Sequence, residues 1–150
     1  MTNTPSELPI LIIDDDSDMC WVLRCVIEAC GRRTVVAHSG RESLALYGEG
    51  NRFALAFVDL RLPDIEGMQL AKMIAELQPR IEITAISGYF SEDDPKIVDA
   101  IRSGVISRFL AKPFDIESAM AGIANSDRGE NASQRGGAES EAGITARNGR

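Results

Sequence analysis

Ile10-Leu11-Ile12-Ile13 is an unbroken aliphatic run that stops at three consecutive acids, Asp14, Asp15 and Asp16. A strand with one wet face alternates apolar and polar residues. A run apolar at every position suits a strand buried on both faces, as in a parallel sheet covered by helices. Runs of the same kind, some broken by a polar residue, follow at Thr34-Val35-Val36-Ala37, Phe53-Ala54-Leu55-Ala56-Phe57-Val58, Ile81-Glu82-Ile83-Thr84-Ala85-Ile86 and 107–111. Segments with helical spacing lie between these runs. Ser17 is placed to cap a helix that carries Met19, Leu23, Val26, Ile27 and Cys30 on one face, with Gly31 as its stop. Residues 40–48 make a short second helix, and 67–77 a third, closed by Pro79. Asp93 or Asp94 can cap a fourth over 95–103, and 115–124 make a fifth. Strands alternating with helices in this way predict an α/β fold, a doubly wound five-stranded parallel sheet with helices on both faces.

The chain has 150 residues, 44% of them hydrophobic and 26% charged, which suits one globular domain of ordinary size. No apolar run approaches the ~20 residues of a membrane span, and the N-terminus lacks the pattern of a signal peptide. We therefore expect a cytoplasmic protein without a membrane contact. The net charge of −7 argues against direct nucleic-acid binding. Cys20, Cys25 and Cys30 are odd in number and spaced by five, about 140° apart on a helix, so they suit neither a disulfide framework nor a metal site. Residues 1–8 are expected to be a flexible N-terminus. Residues 125–150 hold no aromatic residue and a single large aliphatic, Ile144, which predicts a disordered tail or linker. The globular unit is then 9–124.

In open α/β sheets, ligands bind beyond the carboxyl ends of the strands. Those ends carry Asp14-Asp15-Asp16, Asp59, Ser87-Gly88 and Lys112-Pro113. Taken singly, each has an ordinary reading as a solvated loop, a turn or a surface lysine. Together they set carboxylates, a hydroxyl and an ammonium on one rim. Crowded carboxylates repel unless a cation intervenes, and a hard divalent ion takes oxygen ligands. A lysine and a hydroxyl beside them offer donors to a phosphoryl group. The chemistry suggested is phosphoryl transfer onto a carboxylate, with a metal offsetting charge.

At these residues the sequence strongly resembles the receiver domains of two-component response regulators. The segments that carry it are 10–16, Phe57-Val58-Asp59-Leu60-Arg61-Leu62-Pro63-Asp64-Ile65-Glu66-Gly67, Ser87-Gly88, Gly104-Val105 and Phe109-Leu110-Ala111-Lys112-Pro113-Phe114. The resemblance implies a flavodoxin-like fold and names Asp59 as phosphoacceptor from a phosphohistidine on a histidine kinase or histidine phosphotransfer protein. It implies Mg²⁺ or Mn²⁺ held by Asp15 and Asp59, with Asp14 helping and the backbone carbonyl of Arg61 as a further ligand. Lys112 is implied to pair with Asp59 and then with the phosphoryl oxygen. Ser87 is implied to swing toward the phosphoryl group, with Phe109 turning inward behind it as the aromatic switch. Such a protein is a signalling phosphoacceptor rather than an enzyme. Its output partner is left open. Cys20 and Trp21 fall where the family docks its phosphodonor. Gly67 is expected because the loop needs a conformation costly for other residues, and the family usually has the peptide bond before Pro113 cis.

The sequence also departs from the family. Ser87 stands for the commoner Thr, keeping the hydroxyl, and Phe109 lacks the phenol of the commoner Tyr. Arg61 and Tyr89 lie at positions that tune dephosphorylation, which suggests a slow to intermediate phosphoryl lifetime. The stretch between Ser87 and Lys112 is a few residues long for the family, and Gly122 weakens the fifth helix by about 1 kcal/mol against Ala. His38, the one histidine, follows the second strand away from the acidic rim and is given no chemistry. Three other readings compete. A haloacid-dehalogenase-type hydrolase would use Asp14 and Asp16, but has Asp18 where Thr or Val is expected. A phosphate-independent receiver-like module is disfavoured by the intact acidic set. A receiver portion of a longer regulator is the third.

Overall fold

The computed structural model describes residues 8–124. The tail from 125, and the expected flexible N-terminus apart from Leu8, lie outside the described residues. The elements run β1 (Ile10–Ile13), α1 (Ser17–Ala29), β2 (Thr34–Ala37), α2 (Gly40–Gly48), β3 (Leu55–Asp59), α3 (Gly67–Leu77), β4 (Glu82–Ser87), α4 (Pro95–Arg102) and β5 (Arg108–Ala111). Residues 116–124 are helical and are called α5. All strand pairs are parallel, in the order β2-β1-β3-β4-β5. The expected doubly wound sheet is therefore the observed one.

The side-chain period of two sorts each strand between two cores. Leu11, Ile13, Ala56, Val58, Ile83 and Ala85 face a layer formed with α2, α3 and α4. Ile10, Ile12, Leu55, Phe57, Ile86 and Leu110 face α1 and α5. Both layers exclude water, so a buried Phe57 or Ile12 stabilises the fold by about 2–3 kcal/mol. This two-sided burial explains why β1 and the Leu55–Val58 stretch of β3 read as unbroken apolar runs.

Two boundaries differ from expectation for physical reasons, and a third settles an open choice. The N-cap of α1 is Asp16, whose carboxylate accepts from the amides of Asp18 and Met19, and Ser17 is the first helical residue. Strand β3 begins at Leu55 because both backbone groups of Phe53 are held by a side chain. Gln78 Oε1 accepts the Phe53 amide at 3.1 Å, and Gln78 Nε2 donates to its carbonyl at 2.7 Å. At α4, Asp94 rather than Asp93 is the cap, accepting from Lys96 N at 2.9 Å.

Gly67 corrects the expectation of an unusual backbone angle. Its φ is not among the positive values, which belong to Gly31, Gly50, Gly104 and Arg80. Space is the constraint: a Cβ here would sit 2.3 Å from Leu60 Cα and 2.5 Å from the Asp59 carbonyl oxygen. The start of α3 is thereby packed directly on the chain that leaves β3.

Candidate functional site

The strand order reverses direction between β1 and β3, since the chain goes from β1 to β2 and then returns past β1 to β3. A crevice opens at such a point beyond the strand ends. Asp14 follows β1 and Asp59 ends β3, and they are 1% and 5% exposed. Lys112 follows β5 and reaches across β4 to both: Nζ lies 3.1 Å from Asp14 Oδ2 and 3.2 Å from Asp59 Oδ2. The remaining oxygens accept backbone amides, Asp14 Oδ1 from Asp16 and Asp59 Oδ1 from Arg61, each at 2.9 Å. The peptide bond between Lys112 and Pro113 is cis.

Burial pushes the Asp14 carboxyl up to about 6. The amide of Asp16 and the ammonium of Lys112 oppose that rise, and the neighbouring Asp59 adds to it. Burial works against the charge on Lys112, but its contacts with Asp14 and Asp59 outweigh it and raise its pKa. Exposed Asp15 completes an acidic group with Asp14 and Asp59 in which one oxygen from each lies within 4.8 Å of the others. Three hard oxygen donors, two of them buried, fit a small divalent cation such as Mg²⁺, which takes one or two carboxylates together with waters and phosphate oxygens.

Ser87 ends β4 and is buried. Its Oγ accepts the amides of Tyr89 at 2.9 Å and Phe90 at 3.2 Å, so the hydroxyl anchors the loop into α4. The Lys112 amide donates to the Ser87 carbonyl at 2.8 Å, which joins the hydroxyl-bearing and ammonium-bearing strand ends. Phe109 is half-buried against the core layer beneath α2, α3 and α4. Arg61 and Tyr89 meet in the open: the guanidinium carbon stands 4.1 Å from the ring centroid, and Tyr89 is 72% exposed.

Two expectations change. Cys20 is not on a docking surface: it is 3% exposed and its thiol donates to the Asp14 carbonyl at 3.2 Å. Burial raises that thiol to about 11, which keeps it protonated and inert. Trp21, one residue on, turns the other way and is 67% exposed, as the 100° step of a helix requires. His38 is closer to the rim than expected, its Nδ1 3.3 Å from the same Asp14 carbonyl. β2 is hydrogen-bonded alongside β1, so their ends are neighbours. One contact had no local signal in the sequence. Asp64, in the loop after Asp59, accepts the first amides of α2, from Gly40 at 2.9 Å and Arg41 at 2.8 Å.

Comparison with known proteins agrees with this geometry. The family described as response regulator receiver domain matches residues 10–124. The transcriptional regulatory protein ZraR of Escherichia coli K12 is 30% identical over 118 residues, which cover 79% of this chain and 26% of ZraR. The DNA-binding transcriptional regulator NtrC of Salmonella typhimurium is 30% identical over 112 residues, covering 75% of this chain and 23% of NtrC. The chain thus spans about a quarter of the length of these relatives. Among solved structures, a receiver domain protein from Methanospirillum hungatei superposes with a TM-score of 0.76 at 25% identity, covering 85% of this chain and 99% of that one. A response regulator from Burkholderia pseudomallei, solved with a phosphorylated aspartic acid, a calcium ion and citrate, gives a TM-score of 0.68 at 30% identity, covering 84% and 72%. This chain belongs to the response regulator receiver domain family of two-component signalling.

Proposed function

We propose that the chain is a phosphoacceptor in a two-component system or phosphorelay, with Asp59 as the group that is modified. An Asp59 carboxylate oxygen attacks the phosphorus of a phosphohistidine, the P–N bond breaks, and its electron pair returns to the imidazole of the donor. The observation that carries this reading is the meeting of Asp14, Asp59 and Lys112 at the ends of three strands. Asp14, Asp15, Asp59 and the Arg61 carbonyl would hold Mg²⁺ or Mn²⁺, which would supply positive charge against the acids and the incoming phosphoryl oxygens. Lys112, already in contact with Asp59, offers its ammonium to the same oxygens. Ser87 donates its hydroxyl to the phosphoryl group, and Phe109 turns inward behind it.

The phosphodonor is a histidine kinase or histidine phosphotransfer protein acting in the cytoplasm. Its docking face is α1, where Trp21 and Val22 are exposed. Among the described residues no helix is long and apolar enough to cross a membrane. The Arg61–Tyr89 stack shields the acyl phosphate from water and gives it a slow to intermediate lifetime. Output passes to a partner through the surface that Ser87 and Phe109 reshape.

Intact mass after incubation with acetyl phosphate and Mg²⁺ tests the assignment. One phosphoryl group is expected on the wild type, none on Asp59→Asn and none in EDTA. An adduct on Asp59→Asn refutes the site. A chain that takes neither a phosphoryl group nor beryllofluoride is a phosphate-independent module instead.

A further inference from the structure

A cavity of about 420 Å³ lies between α3 and α4, on the face of the sheet away from α1 and α5. Leu60, Met68, Phe90, Ile97, Ala100 and Val105 give it an apolar lining. Lys72 and Lys96 stand at its edge together with Glu66 and Asp99, and none of the four forms an ion pair among the described residues. Two of the walls come straight from the candidate phosphorylation site. Leu60 follows Asp59, its amide donating to the Ile86 carbonyl at 2.9 Å. Phe90 is held by its amide on Ser87 Oγ.

We propose that this cavity binds a small neutral aromatic molecule, and that binding and aspartyl phosphorylation oppose one another. The volume falls in the range of about 300–1,000 Å³ typical of small-molecule pockets. Two amines and two carboxylates cancel, so the edge gives no net attraction for an ion. The aliphatic floor and the Phe90 ring favour an aromatic body. The coupling rests on the phosphoacceptor reading above. A Ser87 hydroxyl drawn toward a phosphoryl group moves the acceptor that fixes Phe90, and with it the cavity wall. A ligand fitted to the cavity with Phe90 in its present place loses affinity when that wall moves. By linkage it disfavours phosphorylation by the same factor.

The test uses the full chain, with indole as the probe. Binding is followed by the NMR shifts of the Met68 methyl and the Phe90 amide, with and without Mg²⁺ and beryllofluoride. Fluorine NMR reports separately whether beryllofluoride has loaded. The expected result is saturable indole binding, lost in Ala100→Phe, which fills the cavity, and weakened roughly fivefold or more on loading. Ser103→Phe, at the exposed edge, serves the same purpose should Ala100→Phe not fold. Absence of saturable binding, or unchanged binding in the filled variants, overturns the site. Preferential binding of benzoate overturns the neutral assignment. Equal affinity in the loaded and unloaded protein overturns the coupling alone. If neither beryllofluoride by fluorine NMR nor a phosphoryl group by intact mass loads, the phosphoacceptor reading fails, and indole binding still decides the cavity.

Discussion

Replacing Asp14 with Asn makes the metal-free protein more stable at neutral pH while destroying its proposed chemistry. The Asp14 carboxyl ionises near its ordinary 3.8 in the unfolded chain and at about 6 in the fold, chiefly because burial disfavours its charge. Between these two values the folded state holds more protons than the unfolded one, so stability falls as pH rises through that window. Below 3.8 the group is neutral in both states and costs nothing. Above about 6 the full penalty applies, ~3 kcal/mol for a carboxyl raised from 3.8 to about 6. Asparagine keeps the shape and an oxygen for the Asp16 amide, but its own amide needs an acceptor beside Lys112. A net gain of ~1–3 kcal/mol at pH 7 follows. Urea unfolding in EDTA reads this as a midpoint about 1 M higher. The gain should shrink toward zero near pH 4. Equal or lower stability of Asp14→Asn at pH 7, or a gain unchanged by pH, refutes the reasoning. Excess Mg²⁺ narrows the gap, because a site filled at a hundredfold its Kd stabilises the wild type by about 2.7 kcal/mol and Asp14→Asn by less.

Lys112→Ala leaves two buried carboxylates without their shared counter-charge, and urea unfolding at pH 7 should show a loss of ~3 kcal/mol. The same variant should still take a phosphoryl group from acetyl phosphate by intact mass, yet show little spectral change on doing so. Gly67→Ala drives a Cβ into Leu60 and Asp59 backbone atoms and should cost about 3 kcal/mol in the same unfolding assay. Gly122→Ala meets only ordinary contacts at 3.7–3.8 Å and should gain about 1 kcal/mol through helix propensity. Tyr89→Ala removes the ring beneath the Arg61 guanidinium, a contact of ~0.5–1 kcal/mol, and should speed aspartyl phosphate decay about two- to fivefold by intact mass over time.

Much of this protein follows from sequence because its three central strands are short, buried on both faces and each closed by a polar residue with a task. Ile10–Ile13 needs a helix layer on either side whatever its neighbours are, and the acids after it have only the rim to occupy. Asp14, Asp59, Ser87 and Lys112 were legible for that reason. Tertiary structure decided what depends on two segments meeting. Cys20 and Trp21 are adjacent in the chain, and only packing against Ile10, Ile12 and the Asp14 carbonyl buries one and exposes the other. Gln78 shortens β3, and Asp64 holds α2, through hydrogen bonds that bridge 25 and 24 residues. Gly67 looked like a demand for an unusual backbone angle and proved to be a demand for space against Leu60. Local pattern determines which face of a segment is apolar. It carries no distance between side chains far apart in sequence, and those distances set the charge on Asp14 and the cavity wall at Phe90.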